Sequence, residues 1–211
     1  MADALYKSIA LSRQMGSGGT YIGYTAAKEL GFKYLDREIL HEASVQLGVD
    51  AGLLAHQEEK SSGILENVMK MFSFGTPEAT YTPPVMRPVY DQDLFALECQ
   101  IMNRTVDRYN AVIVGRGGFY GLKDRPEVLR ILIHAPLEFR IKRVMEARKM
   151  TDYEEVRSMV TESDRSRSKF VRDIIGVHWM NANNFHLCID SSATDFRSIL
   201  EIIRKYFEKR K

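Results

Sequence analysis

The sequence predicts a single α/β domain, in which a parallel β-sheet lies between layers of helices. Short apolar runs alternate with amphipathic stretches along the chain, an arrangement typical of βαβ units. A glycine cluster joins the first apolar run to the first amphipathic stretch. The 211 residues suffice for one full core, with 45% hydrophobic and 27% charged residues as in globular proteins. We therefore expect one domain over residues 1–211.

Five apolar runs are predicted as the strands of this sheet. They lie at residues 8–12, 32–36, 111–114, 129–134 and 186–189. The helix after the first run carries Ile22, Ala26 and Leu30 on one face and ends before Gly31, which suits a helix C-terminus. Further helices are predicted at 39–47, about 50–72, about 92–109, from Pro136, from the capping signature at 151–154 towards Gly176, and from about Asp195.

Residues 73–90 break this alternation. Four prolines and Gly75 within the segment exclude a continuous helix. Loops of this length inside a compact domain are often functional. Two interpretations remain open: a mobile arm that binds an acceptor, or an interaction loop that exposes Tyr81, Met86, Val89 and Tyr90.

Composition argues against several classes of function. A net charge of +2 does not predict a nucleic-acid or membrane partner. Cys99 and Cys188 are too far apart in sequence to indicate a zinc site or a disulfide framework, so we expect small buried side chains in a reducing cytoplasm. No run approaches the roughly 20 apolar residues of a membrane span. The five histidines have no metal-ligand spacing, and Trp179 with Phe185 is expected to pack against the sheet.

The glycine cluster Gly16-Ser17-Gly18-Gly19 lies between a predicted strand and a predicted helix. Glycines let the backbone turn its amides towards a phosphate, and the helix N-terminus adds its dipole. Thr20 stands where the P-loop pattern G-x-x-x-x-G-K-[ST] places a magnesium ligand, but Arg13 replaces the first glycine and Gly19 the lysine. The cluster is thus either a phosphate-binding loop or a tight turn between strand and helix.

Four further segments resemble cytidylate kinases. They are 26–36, which ends in Asp36; 112–116, which ends in Gly115-Arg116; Asp164-Arg165-Ser166-Arg167; and 186–192. The string Ser-Arg-Gln-x-Gly-Ser-Gly-Gly at 12–19 is similar to that of the divergent cytidylate-kinase-like family. The resemblance implies a sheet of order 2-3-1-4-5, a helical acceptor-binding insertion at 37–95 and a lid at 151–180. It also implies ATP, magnesium and a nucleoside monophosphate acceptor, with CMP or dCMP first.

The resemblance assigns roles to individual residues. Residues Gly16 to Gly19 hold the donor phosphates, and Thr20 holds both phosphate and magnesium. Asp36 and Arg116 bind the acceptor; the alternatives are a helix cap and a surface ion pair. Arg165 and Arg167 are catalytic charges of the lid, or part of a solvated basic face.

The chain departs from cytidylate kinases at Gly19 and Gly117, where they carry the Walker lysine and an aspartate. Arg13 is the nearest candidate to replace the lysine. Because of these departures, a second function stays open, a nucleotide or phosphate sensor with little or no catalytic activity. The loop at 73–90 leaves open a third, a scaffold that binds partners through this loop.

Overall fold

The computed structural model describes residues 6–36 and 92–207, and in this part of the chain five parallel strands form one sheet. The strands are β1 (Ser8–Arg13), β2 (Lys33–Leu35), β3 (Ala111–Val114), β4 (Val128–His134) and β5 (Leu187–Asp190). Their order is β2-β3-β1-β4-β5, which confirms the order implied by the resemblance. The helices predicted at 39–47 and 50–72 and the loop at 73–90 lie outside the described residues.

Helices flank the sheet, and all but one of those in the described residues lie where the amphipathic stretches predict them. They are α1 (Gly19–Leu30), α2 (Gln92–Arg108), α3 (Gly118–Gly121), α4 (Leu137–Arg148), α5 (Tyr153–Phe170) and α6 (Phe196–Lys205). The sequence analysis missed α3, because a single turn that begins at a glycine has no periodic pattern. A π-helical turn (Val171–Ile175) continues α5 and ends at Gly176, where φ is 80°.

The two faces of the sheet are covered by different helices. Ile9 and Leu11 of β1 pack with α1 and α6, whereas Ala10 between them packs with α2 on the other side. Alternate side chains of a strand point to opposite faces, so a strand buried on both sides reads as a continuous apolar run. This is why the strands appear in the sequence as unbroken apolar runs, and it yields the predicted three layers.

Two local predictions need correction. The α5 N-cap is Asp152 and not Thr151: its carboxylate accepts a hydrogen bond from the Glu155 amide at 3.0 Å. Cys188 is exposed because it lies on the edge strand β5, and Cys99 is half-buried. Burial and, to a lesser extent, the neighbouring Glu98 raise the pKa of the Cys99 thiol to about 11.

The predicted packing role of Trp179 and Phe185 is confirmed. Both are buried in an apolar cluster with Phe119 and the end of α5. None of the helices in the described ranges combines the length and the apolar character that crossing a membrane requires.

We expect the buried inner strand β4, which lies between β1 and β5, to contribute strongly to stability. Ile131 is 0% exposed, so Ile131→Ala should lower the free energy of unfolding by about 3 kcal/mol. Ile202 on α6 is 38% exposed, and Ile202→Ala should cost less than about 1 kcal/mol. Urea denaturation of both variants checks this. Equal losses would contradict the core described for β4.

Candidate functional site

The glycine loop, residues 14–18, connects β1 to α1 and is held closed by its own hydrogen bonds. The Ser17 amide and hydroxyl both donate to the Gln14 carbonyl oxygen, at 3.3 and 2.9 Å. The Gln14 side chain in turn accepts from the Ala135 amide at 3.2 Å, which ties the loop to the end of β4. Ser17 is fully buried as a result. The loop therefore has a fixed conformation at the carboxyl edge of the sheet.

Arg140 of α4 and Asp164 of α5 clamp the loop at Met15. The Met15 amide donates to Asp164 Oδ1 at 3.1 Å, and Arg140 Nη1 donates to the Met15 carbonyl oxygen at 3.0 Å. Arg140 and Asp164 also form an ion pair of 2.6 Å with side chains only 7% and 17% exposed. Arg140 Nε donates to the Ala135 carbonyl oxygen at 2.9 Å. Both polar groups of one loop residue are thereby fixed by charged partners.

A second set of contacts fixes the Ser17 carbonyl oxygen. It accepts from Arg143 Nη1 at 2.8 Å and from the Ser191 hydroxyl, just after β5, at 2.7 Å. The Arg143 guanidinium lies 4.5 Å from the centres of both the Phe139 and Phe196 rings. Burial lowers the pKa of Arg143, and Glu146 opposes that effect.

These carbonyl contacts determine where the glycine amides point. The amide hydrogen and the carbonyl oxygen of a trans peptide point in opposite directions. Because the carbonyls of Met15 and Ser17 face Arg140 and Arg143, the N–H groups of Gly16 and Gly18 are directed away from those side chains. Gly16 and Gly18 both have a φ of 79°, a conformation that side chains disfavour. Backbone amides turned to one side of a loop are an anion-binding arrangement.

A pocket adjoins the loop at the carboxyl ends of β1 and β3. It is lined by Ser12, Arg13, Gly115, Arg116, Gly117, Phe119, Arg167, Phe170, Val171 and Trp179. Three arginines thus share a pocket with an apolar wall. Open parallel sheets bind their ligands at this edge.

Arg116 enters the pocket as one half of a buried ion pair. Its Nε lies 2.7 and 2.8 Å from the two carboxylate oxygens of Glu98, and its Nη2 also donates to Glu98. The Arg116 and Glu98 side chains are 7% and 0% exposed, and the guanidinium lies 5.4 Å from the Phe170 ring centre. Arg116 has a φ of 47°. Glu98 therefore balances the charge of Arg116 and fixes its orientation.

The two predicted lid arginines lie in different environments. Arg167 lines the pocket and donates to the Ser163 hydroxyl at 2.8 Å and to Asp164 Oδ1 at 3.4 Å. Arg165 is 78% exposed and pairs with Glu162 at 3.1 Å. The arrangement brings Arg167 to Arg13 and Arg116, and it leaves Arg165 on the solvent side of α5.

The remaining predicted residues lie at the same edge of the sheet. Thr20 is exposed in the first turn of α1, and its hydroxyl lies 3.5 Å from Arg13 Nε. Asp36 directly follows β2, next to β3, the strand that Gly115 follows. In residues 6–36 and 92–207, no group of three or more His, Cys, Asp or Glu side chains is arranged to hold a metal ion.

Sequence reasoning missed Arg140, Arg143 and Glu98. Two of them carried a usable signal, a charged residue within an apolar helical stripe. Arg140 lies between Leu137 and Val144, and Glu98 between Phe95 and Met102, at helical spacing. Such a charge is buried only if a partner compensates it.

Solved structures with a similar fold include three that cover nearly all of the chain. An uncharacterized protein from Eubacterium ventriosum has a TM-score of 0.68 at 20% identity over 96% of this chain and 98% of its own. A gluconokinase from Sinorhizobium meliloti has a TM-score of 0.49 at 13% identity, covering 97% and 93%. A shikimate kinase from Acinetobacter baumannii has 0.46 at 16% identity, covering 96% and 93%.

Among proteins with curated descriptions, no sequence is similar enough to count as a relative. A sequence model of the cytidylate kinase-like family, in contrast, matches residues 8–193. This match includes the glycine loop, the Arg116 pocket and the clamp formed by Arg140 and Asp164. The chain therefore belongs to the cytidylate kinase-like family.

Proposed function

We propose that this protein is an ATP-dependent phosphotransferase whose acceptor is a nucleoside monophosphate, with CMP and dCMP as the first candidates. Membership of a cytidylate kinase-like family supports a nucleotide or small-molecule kinase in general terms. The observation that carries the proposal is the position of the clamped glycine loop beside a pocket with three arginines. Phosphoryl transfer depends mainly on positioning and on stabilising negative charge, and this arrangement provides for both.

The donor phosphates bind at the glycine loop in this proposal. The amides of Gly16 and Gly18 face away from their clamping partners, and α1 begins at Gly19 with its positive dipole end. Ser17 contributes its backbone, because its hydroxyl is already bonded to Gln14. A loop fixed in advance loses little entropy when the ligand binds.

Thr20 is the residue that would hold a magnesium ion. One hydroxyl beside the phosphates suits magnesium, which keeps several waters and takes most other oxygens from substrate phosphates. When bound, the ion supplies charge stabilisation to the phosphate oxygens.

The acceptor lies in the adjoining pocket, where Arg116 binds it together with Asp36, which follows the neighbouring strand β2. Arg167 supplies a lid charge from the pocket wall, and Arg165 supplies a second from the solvent side of α5. An acceptor phosphate oxygen forms a bond to the γ-phosphorus of ATP while the bond to the β,γ-bridging oxygen breaks, which yields ADP and the diphosphate. Phosphate monoesters are mostly dianionic at neutral pH, so the attacking oxygen needs no general base. Glu98 holds Arg116 in one orientation, and this favours a fixed acceptor position.

A nucleotide sensor is the second candidate. Gly19 and Gly117 replace the lysine and aspartate of cytidylate kinases, and loss of a principal charge contact costs about 3 kcal/mol of barrier. The same pocket would then bind nucleotide without turnover.

The discriminating experiment is a screen of the wild-type protein with ATP and magnesium against the common nucleoside monophosphates and small hydroxylated metabolites. ADP formation and calorimetric ATP binding are measured together. Turnover of CMP or dCMP supports the proposal, and turnover of another acceptor corrects the substrate. Binding without turnover favours the sensor, and absence of ATP binding rejects both functions.

Gly16→Ala should weaken ATP binding in a folded protein. A Cβ at Gly16 would lie 2.6 Å from the Arg140 carbonyl oxygen, a backbone atom that cannot rotate away. We expect at least about a tenfold rise in the ATP dissociation constant, or 1.4 kcal/mol. The control is Gly31→Ala, with a φ of 68° and nothing within 4 Å of the new Cβ. Calorimetry in which both variants bind ATP normally would reject the loop as the donor site.

Replacing Arg116 together with Glu98 should weaken binding of the acceptor but not of ATP. Arg116→Ala alone would remove the ion-pair partner of the buried Glu98 carboxylate, at a cost of about 3–5 kcal/mol of stability. The double variant Arg116→Met/Glu98→Met removes both charges. We expect the acceptor KM to rise at least about tenfold, with the ATP KM within about twofold. Arg125→Met at the opposite sheet edge is the control, and an unchanged acceptor KM would contradict the assignment.

A further inference from the structure

The side chain of Arg13 occupies the space directly beside Gly19. A Cβ at Gly19 would lie 2.4 Å from Arg13 Cβ and 3.0 Å from Arg13 Cγ. A Cβ is fixed by the backbone, so no change of rotamer at either residue relieves the shorter contact. In this backbone, positions 13 and 19 cannot both carry a side chain.

Gly115 makes room for the other end of the same side chain. A Cβ at Gly115 would lie 1.9 Å from Arg13 Nη1. Arg13 Nε lies 3.5 Å from the hydroxyl of Thr20, and Arg13 also lines the pocket with Arg116. The guanidinium of Arg13 therefore lies between the start of α1 and the end of β3, and so between the proposed donor and acceptor sites.

This steric relation accounts for two departures from the P-loop pattern at once. The pattern G-x-x-x-x-G-K-[ST] has no side chain at its first position and a lysine at its seventh. Residues 13–20 have an arginine at the first position and no side chain at the seventh. Both arrangements contain one cation. In this chain it is Arg13 at the end of strand β1, and in the P-loop pattern it is the lysine at the start of the helix.

We propose that Arg13 is the catalytic cation of this site in place of the P-loop lysine, and that position 19 is a glycine because the Arg13 side chain needs its space. Gly115, whose φ of 85° itself favours glycine, leaves room for the guanidinium. The inference rests on the proposed function, in which the γ-phosphoryl group passes from the loop into the pocket. A guanidinium can donate two hydrogen bonds to two phosphate oxygens and always carries its charge. Its contact strengthens as charge develops on the transferring group, which raises kcat more than it tightens binding.

Arg13→Ala is the first test. We expect kcat to fall by about a hundredfold, since removal of one donor to developing charge has that effect. Calorimetry should also show a lower preference for ATP over ADP, because only ATP presents the γ-phosphate. Arg157→Ala, an exposed arginine of α5 paired with Glu154, is the control for loss of one positive charge. If the wild-type enzyme is active and Arg13→Ala changes neither kcat nor the preference for ATP over ADP, the inference is overturned and the proposed function stays intact.

The second test uses the steric relation itself. Gly19→Lys in the wild-type background should lose thermal stability and ATP affinity, because the new Cβ meets Arg13 Cβ. Arg13→Ala/Gly19→Lys keeps that contact, whereas Arg13→Gly/Gly19→Lys removes it and recreates the P-loop arrangement. We expect Arg13→Gly/Gly19→Lys to have a higher melting temperature than Arg13→Ala/Gly19→Lys. Its kcat should also be at least about tenfold higher than that of Arg13→Ala.

The two double variants differ by one methyl group, so the difference between their melting temperatures and ATP affinities tests the steric exchange directly. Equal melting temperatures and equal ATP affinities would overturn the exchange. A wild-type protein that binds ATP without turnover defeats the kinase proposal. In that case the ATP preference of Arg13→Ala and the order of the double variants still decide whether Arg13 occupies the place of the lysine.

Discussion

The buried ion pair between Arg140 and Asp164 is the contact on which the candidate site depends. It joins α4 and α5 and holds Met15 of the glycine loop between its two charges. A buried ion pair adds little net stability compared with apolar packing, but removal of one partner is costly. Its value here is the fixed geometry of the loop, because a clamped Met15 peptide sets the direction of the Gly16 amide. Asp164 also accepts from Arg167, so the same carboxylate orients the loop and one arginine of the pocket.

Most of the fold was predictable because it follows from local patterns. Strands buried on both faces appear as apolar runs, and β3 was predicted at its observed bounds. Terminal residues were less certain: β4 begins one residue earlier than predicted, and Asp152 rather than Thr151 caps α5. Cys188 was placed wrongly because burial was inferred from its apolar run alone, although the strand order implied by the resemblance puts that run at the edge of the sheet.

Only those parts of the site that belong to a single sequence motif could be predicted from the sequence. The glycine cluster, Arg116 and the arginines of α5 are visible in the sequence, but their partners are not. Asp164 bonds a loop 149 residues earlier, and Glu98 lies 18 residues before Arg116 on another element. Helical spacing alone also could not separate Arg167 from Arg165, since the orientation of α5 is set by packing against α4. Charges within apolar stripes were the one signal that would have identified Arg140 and Glu98 in advance.

The π-helical turn at Val171–Ile175 makes the number of residues in this segment as important as their chemistry. Successive residues of an α-helix are rotated by about 100°, and a π-turn accommodates one more residue than an α-turn. Phe170 and Val171 before and within the turn line the pocket, and Ile175 at its end packs with Phe119. Loss of one residue within the turn would convert it to an ordinary α-turn and would change which of the remaining side chains between Val171 and Ile175 face the pocket and Phe119. The shape of the pocket is thus encoded partly as a length, which a comparison of residue types alone does not detect.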